Sequence, residues 1–515
     1  MKNSIEFKVI GAIDVGSNYI RMVIAEVTGG KERVILEELK KLTNAGKDSF
    51  NTGRISVETI HEICHILSGY KRIMKEYGVK KYKAVATSGI READNREYVL
   101  EQIRLSTGLK VEIINNSEER LYVYKALRDD AEAISLIEST GTLIVNVSSG
   151  GLEVSVYENG KLKYTDYIKL GTLRIREILS ELELNNINFA RLMKEYIESK
   201  LNLLQQNIIR GNIKNYIALG GELDTILKLA NGSIKENCDK RTLTSEELYS
   251  IYKEILKHSN EQLVEKYGIS NNVSELLIPS VLIFYSFLKI VDAEIIYAPM
   301  ISLRHGILID IEDGIFDLPR KKDVINDVIS SVWFIAEKYN INKSHSSFVR
   351  NIALSIFDQL KSLHKLGERE RLFLEIAAIL HDAGKYVSFN GNSVHSYNII
   401  RKQNIIGFSD REMEIVANVA RYHSYKIPRY SHENYVNLTG EDRIIVSKLV
   451  AIFRIAEALD ISHKQKIQDI SISNTREGLF FNIKSKDDIT LEKWDFNRKA
   501  SFFGELMGIE PKIQE

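Results

Sequence analysis

Two short stretches more than a hundred residues apart repeat one pattern, and that repetition restricts the folds open to this chain. In the first, an apolar run (residues 9–13) delivers Asp14, a Gly16-Ser17-Asn18 turn follows, and a second strand-like run (residues 20–26) returns beside the first. In the second, residues 143–147 lead into Ser148-Ser149-Gly150-Gly151 and out through Leu152, Glu153 and Val154. Each is a hairpin with a polar tip. Glycine permits a tight turn, and its amides, with neighbouring hydroxyl and carboxamide groups, can cradle a phosphate. Asp14, at a strand end, suits a hard divalent cation. Either turn alone reads equally well as an ordinary hairpin. The repetition is what a duplicated, two-lobed fold shows when its ligand lies between the lobes.

The surroundings fit an α/β architecture. Val57, Ile60, Ile63, Cys64, Leu67, Tyr70 and Met74 recur at helical spacing, and residues 82–86 read as a buried strand. Thr87-Ser88-Gly89-Ile90-Arg91 follows that strand directly, the place where ligands of open α/β sheets gather. For Arg91 a solvated loop position is the plain alternative. Asn115-Asn116-Ser117-Glu118-Glu119 then opens a helix, and paired glutamates there suit the helix dipole without further purpose. The longest apolar run, residues 276–288, contains Pro279, is too short to cross a bilayer, and reads as a buried helix. Residues 310–322 read as a linker, and the pattern from there to about 464 is helical. That block holds His345, His381-Asp382, His395, His423 and Asp460. A His-Asp pair ending an apolar helix is costly to bury alone, and a divalent metal bound by both offsets the cost. Any one of these histidines alone reads more readily as structural; the joint pattern is the more specific signal. Residues 466–515 read as two short strands and a helix with a packing role.

Lys+Arg and Asp+Glu both total 70, so no global positive field advertises nucleic acid or anionic lipid, and a polyanion site has to be a local patch. Neither a membrane nor a nucleic-acid partner is expected. Two cysteines without metal-ligand spacing point to a reducing compartment, and the expected location is cytoplasmic.

The first turn is similar to the D-x-G-S-N-S-x-R opening of the exopolyphosphatase and guanosine pentaphosphate phosphatase (Ppx/GppA) family, and the resemblance covers nearly the whole chain. Ser88 and Arg91 match a T-S-x-x-R motif, Glu119 the second glutamate of I-S-G-x-E-E-A-R-L, and residues 170–174 an L-G-x-V-R motif. The residues around Arg304 look like A-L-R-E-G, a helix that packs back on the first lobe, with an interlobe ion pair for Arg304. The resemblance implies an actin-like (ribonuclease H-like) two-lobed α/β half followed by α-helical structure. Lobe I would span 1–128, lobe II 129–315, an HD-like helical domain 316–465 and a small α+β segment 466–515.

The implied chemistry is release of the terminal phosphate of inorganic polyphosphate, or of guanosine pentaphosphate, with Mg2+, in a homodimer. Glu119 would activate water, and Asp14 and Glu153 would hold the metal. Gly16, Ser17, Asn18, Arg21, Ser88, Arg91, Ser148, Ser149 and Gly150 would bind phosphate. His345, His381, Asp382 and Asp460 have the order of an HD-type ligand set for a divalent transition metal, with His395 and His423 as candidates for a second.

The second turn departs from the family's D-I-G-G-G-S-T-E. Asn146 lacks the aspartate's charge, Ser148 and Ser149 replace glycines that a phosphate nest with positive φ needs, Gly151 replaces serine and Leu152 threonine. Glu222 stands where relatives carry a small hydroxyl residue, and Arg120 where they carry alanine. Weakened turnover is therefore expected. The alternatives are a non-catalytic regulator that binds polyphosphate or an alarmone (guanosine penta- or tetraphosphate), and an enzyme whose working site is the HD metal centre.

Overall fold

The structure, a computed structural model, describes residues 7–29, 33–183, 189–208, 213–232, 240–318, 320–424, 426–475 and 478–514. The chain divides into two compact units, Met1–Asp327 and Val328–Glu515.

The first unit contains two sheets built to one plan. Strands β1 (Lys8–Val15), β2 (Tyr19–Val27), β3 (Val34–Leu42), β4 (Lys81–Ala86) and β5 (Val111–Ile113) form a sheet ordered β3-β2-β1-β4-β5. Strands β6 (Thr142–Val147), β7 (Leu152–Glu158), β8 (Lys161–Ile168), β9 (Asn215–Gly220), β10 (Thr242–Thr244) and β11 (Ile295–Tyr297) form the other, ordered β10-β11-β9-β6-β7-β8. In both, an antiparallel meander of three strands is extended by parallel pairing on its first strand, β1 with β4 and β6 with β9. The duplication reaches single residues. Asp14 pairs with Arg21 across the first hairpin, and Asn146 pairs with Glu153 at the matching place in the second.

Alternation along the strands puts apolar side chains on both faces of the first sheet. Ile13, Val15, Met22 and Ile24 face the helices Val57–Glu76 and Arg96–Thr107, whereas Ile10, Ala12, Val23 and Ala25 face the helix Leu303–Phe316. That last helix follows the second sheet in sequence yet completes the core of the first. The expected boundary at residue 315 counted it with the second lobe. The helix Asn271–Leu288 packs within the second sheet's core, as its apolar run suggests, with Pro279 inside it.

The expected linker at 310–322 is a correction. One helix continues to Phe316 and the next, Arg320–Lys338, begins four residues later and crosses the division between the units. Its charged composition suggested solvent, but Glu312 and Asp313 are buried in an ion-pair network: Arg33 and Arg320 donate to Glu312 at 2.7 and 2.6 Å, and Arg320 to Asp313 at 2.5 Å. Buried acids matched by arginines look like a surface in a sequence read one residue at a time.

The second unit is helical up to Ala458 and ends in a three-stranded sheet: β12 (Ile467–Thr475), β13 (Gly478–Ser485) and β14 (Pro511–Gln514), with the helix Thr490–Met507 before β14. The third strand is an addition to the two expected.

Candidate active site

Both polar turns face one cleft of about 420 Å³ between the lobes. Of the expected phosphate, metal and catalytic residues, Asp14, Gly16, Ser17, Asn18, Arg21, Ser88, Glu119, Ser148 and Ser149 line it, together with Asn146. The first turn is held from beneath: Gly46 N donates to Ser17 O at 2.7 Å, and the Ser17 and Ser88 hydroxyls lie 2.9 Å apart. Gly150, expected to bind phosphate, is not in the lining: a Cβ there would lie 2.1 Å from Ser88 Oγ, so glycine lets the two lobes approach.

The glutamate pair resolves into two roles. Glu118 closes a capping box, accepting from Asn115 N at 2.9 Å while Asn115 Oδ1 accepts from Glu118 N at 2.9 Å. Glu119 is left to face the cleft, 3.6 Å from Arg91. Burial pushes its pKa up to about 7; Arg91 opposes this, and Asp14 and Glu153 add to it.

Arg91 is not in the cleft lining. It donates to Ile114 O at 2.7 Å and Asn116 Oδ1 at 2.5 Å, so it braces the turn that carries Glu119.

Glu153, expected at a metal, is instead ion-paired with Arg120, a residue the motif comparison set aside. Arg120 is buried and Glu153 nearly so, their side chains 4% and 12% exposed. Burial raises the Glu153 pKa, and Arg120 and a hydrogen bond from Asn146 oppose the rise. A guanidinium thus supplies the positive charge on the second-lobe side. Asp14 remains the carboxylate suited to a cation: its Oδ1 is buried without a hydrogen-bond partner among the described residues, and burial raises its pKa against the pull of Arg21.

The backbone objection to Ser148 and Ser149 fails. Neither has positive φ, and Gly150 and Gly151 have none either; positive φ occurs at the next turn, at Gly220 (70°) and Gly221 (56°). Glu222, just beyond, lines the cleft, and burial raises its pKa to about 7. Arg304 donates to Glu38 at 2.5 Å, so its ion pair is with the first sheet.

In the helical unit, His345, His381 and Asp382 offer ligand atoms within 4.8 Å of one another, all buried. Asp460 stands outside that group and accepts from His345 Nδ1 at 2.7 Å. His381 Nδ1 donates to Ala378 O at 2.9 Å and His423 Nδ1 to Ala420 O at 2.6 Å. Each Nδ1 is thereby occupied, which presents Nε2 to a metal. Burial pushes His381 down to about 4, so it is neutral, as a ligand must be. Burial disfavours the Asp382 carboxylate, but protonated His381 in acid and Lys385, which donates to it at 2.6 Å, more than offset this, and Lys385 keeps it ionised where His381 is neutral. His423 stacks edge-on to His381 with ring centroids 4.9 Å apart, whereas His395 lies on the helix Asn392–Ile400, outside the three-residue group. His463, which the sequence did not single out, stacks on His345 at 3.7 Å.

The chain is similar to known proteins along most of its length. It is 22% identical to the "Guanosine-5'-triphosphate,3'-diphosphate pyrophosphatase" of Pseudoalteromonas translucida (strain TAC 125), covering 88% of this chain and 87% of that one. A protein of the same name from Vibrio atlanticus (strain LGP32) is 20% identical, over 86% of each. Among solved structures, the Aquifex aeolicus member of the Ppx/GppA family matches with a TM-score of 0.50 at 23% identity, covering 59% of this chain and 97% of that one. An exopolyphosphatase from Cytophaga hutchinsonii matches with a TM-score of 0.53 at 17% identity, over 60% and 98%. The two-lobed half therefore has the actin-like fold of these structures. A model of Ppx/GppA phosphatase domain III matches residues 329–499, and the Ppx/GppA phosphatase family model matches residues 23–314. With more than half of its residues matched by that model, the chain belongs to the Ppx/GppA phosphatase family.

Proposed function

We propose that the interlobe cleft hydrolyses a terminal phosphoanhydride, of inorganic polyphosphate or of guanosine pentaphosphate, with Glu119 as the base. The observation that carries this is Glu119 itself: a largely buried carboxyl, 19% exposed, that lines a polar cleft with both turns and is held near 7. A base is most effective when its pKa lies near working pH. Glu119 takes a proton from water as the water oxygen bonds to the terminal phosphorus and the bridging P–O bond breaks. Ser17, Ser88 and the turn amides hold the phosphate, and Arg91 holds Glu119 in place. Mg2+, implied by the family resemblance, fits on the Asp14 side, where it would offset phosphate charge; Glu153 is already matched by Arg120. The names of the relatives support the substrate class. The test is phosphate release from each substrate with and without Mg2+. Glu119→Gln is expected to lower kcat about 10²–10⁴-fold; full activity in that variant removes Glu119 from the mechanism. Tight binding without release by the wild type favours the regulator.

A second reading draws on the His345, His381 and Asp382 group: an HD-type, metal-dependent phosphohydrolase in the helical unit. His381→Ala should then lose bound transition metal and hydrolysis of a cyclic dinucleotide, while Glu119→Gln keeps both.

A further inference from the structure

We propose that Tyr167 is a positioning residue for Glu119, acting through one water held in a small cavity behind the glutamate. The inference rests on the reading of Glu119 as the base.

Tyr167 lies on β8 and reaches over Gly151 toward the root of the cleft. Its hydroxyl is buried and has no hydrogen-bond partner among the described residues. A buried hydroxyl left without a hydrogen bond is destabilising, so a partner is expected there. The hydroxyl opens on a cavity of about 10 Å³ that Glu119, Asn146 and Ser148 also line. That is the room for one water, and the donors and acceptors around it suffice to hold one. A water there accepts from the Tyr167 hydroxyl and donates to the Glu119 carboxylate, fixing the oxygen that faces away from the cleft. The other oxygen is then turned toward the attacking water.

Arg91 restrains the same carboxylate from its side at 3.6 Å. The charged neighbours are Asp14 on the cleft side, Glu153 with Arg120 behind, and Glu92 and Arg174 beyond the tyrosine. None of them takes the hydroxyl's proton.

Gly151 is the other half of the device. A Cβ at this position would lie 2.1 Å from Tyr167 Oη, so a side chain at 151 and the phenol in this position exclude each other. Glycine in the turn and tyrosine on the next strand make one arrangement.

The test uses the full-length chain. A crystal structure at high resolution is expected to show an ordered water bonded to Tyr167 Oη and Glu119, and Tyr167→Phe to lose it. In turnover of polyphosphate or guanosine pentaphosphate, Tyr167→Phe should lower kcat about tenfold with KM unchanged, because it loosens a reacting group and not the phosphate cradle. Gly151→Ala, which displaces the hydroxyl while keeping it, should reproduce the loss. An empty cavity overturns the proposal, as does, where Glu119→Gln is impaired, a Tyr167→Phe enzyme with wild-type kcat or with a raised KM and kcat intact. If the water is present and Tyr167→Phe removes it, yet Glu119→Gln is fully active, Tyr167 still positions Glu119 and it is the reading of the base that has failed.

Discussion

Two adjacent glutamates with the same chemistry do different work because one is used by the helix and the other is not. Glu118 is consumed by the capping box, and Glu119, largely shielded from water, is pushed up to about 7. If Glu119 must be ionised to act, kcat/KM should rise with pH to a limb near 7 in the wild type. The same shift predicts a stability effect. A carboxyl whose folded pKa is raised from 4.5 binds more protons folded than unfolded between pH 4.5 and about 7, so stability falls across that window. The cost reaches about 3 kcal/mol by pH 8. Glu119→Gln should therefore be more stable than wild type at pH 8 and nearly equal at pH 4.5, read by urea unfolding. An equal gain at both pH values would remove the cause. A second test concerns the buried Arg120–Glu153 pair. Arg120→Ala leaves an unmatched acid and should cost about 3–5 kcal/mol, partly restored by millimolar Mg2+ because the freed carboxylate can then take a cation. No restoration would argue that the guanidinium does not replace a metal charge. The family motif picks out Glu153 but gives it to the metal, because pairing with Arg120 depends on a neighbour 33 positions away.

The elements nearest the cleft were legible where a period or a turn announces them. Both hairpins and the strand before Thr87 lie where the pattern puts them. Periodicity does not show contact between elements distant in sequence, and only the family resemblance put the helix around Arg304 back on the first lobe. The helix Leu303–Phe316 lies against the helix Asn116–Leu127 that carries Glu119, and a Cβ on Gly306 would fall 1.7 Å from Tyr122 O. Backbone cannot yield as a side-chain tip does, so Gly306→Ala must separate the two helices. The expected result is a loss of about 1–3 kcal/mol in urea unfolding, with phosphate release falling as Glu119 shifts. Unchanged stability would mean the helices part more easily than their packing suggests. The 310–322 stretch shows the converse: its charges are loop-like by composition, and only partners such as Arg33, far back in the chain, make them a buried network.

At the scale of the whole molecule, the duplication was the most readable feature and the division between units the least, since the helix Arg320–Lys338 runs unbroken across it. Two compact units predict two calorimetric transitions. A divalent transition metal should raise the one belonging to the helical unit, and His381→Ala should abolish that rise; a single transition unaffected by metal removes the case for a metal centre. The helix Leu303–Phe316 has a further consequence, for the order of events during synthesis. The first sheet's second face, with Ile10, Val23 and Val85, is covered by a helix made about 175 residues after lobe I ends. At ribosomal speeds that wait is roughly ten to thirty seconds, during which an apolar sheet face stands uncovered and open to chaperones. The nascent amino-terminal lobe is thus an unfinished object until the second lobe has been made, and a fragment ending at residue 128 should aggregate unless a peptide covering 300–318 is supplied in trans.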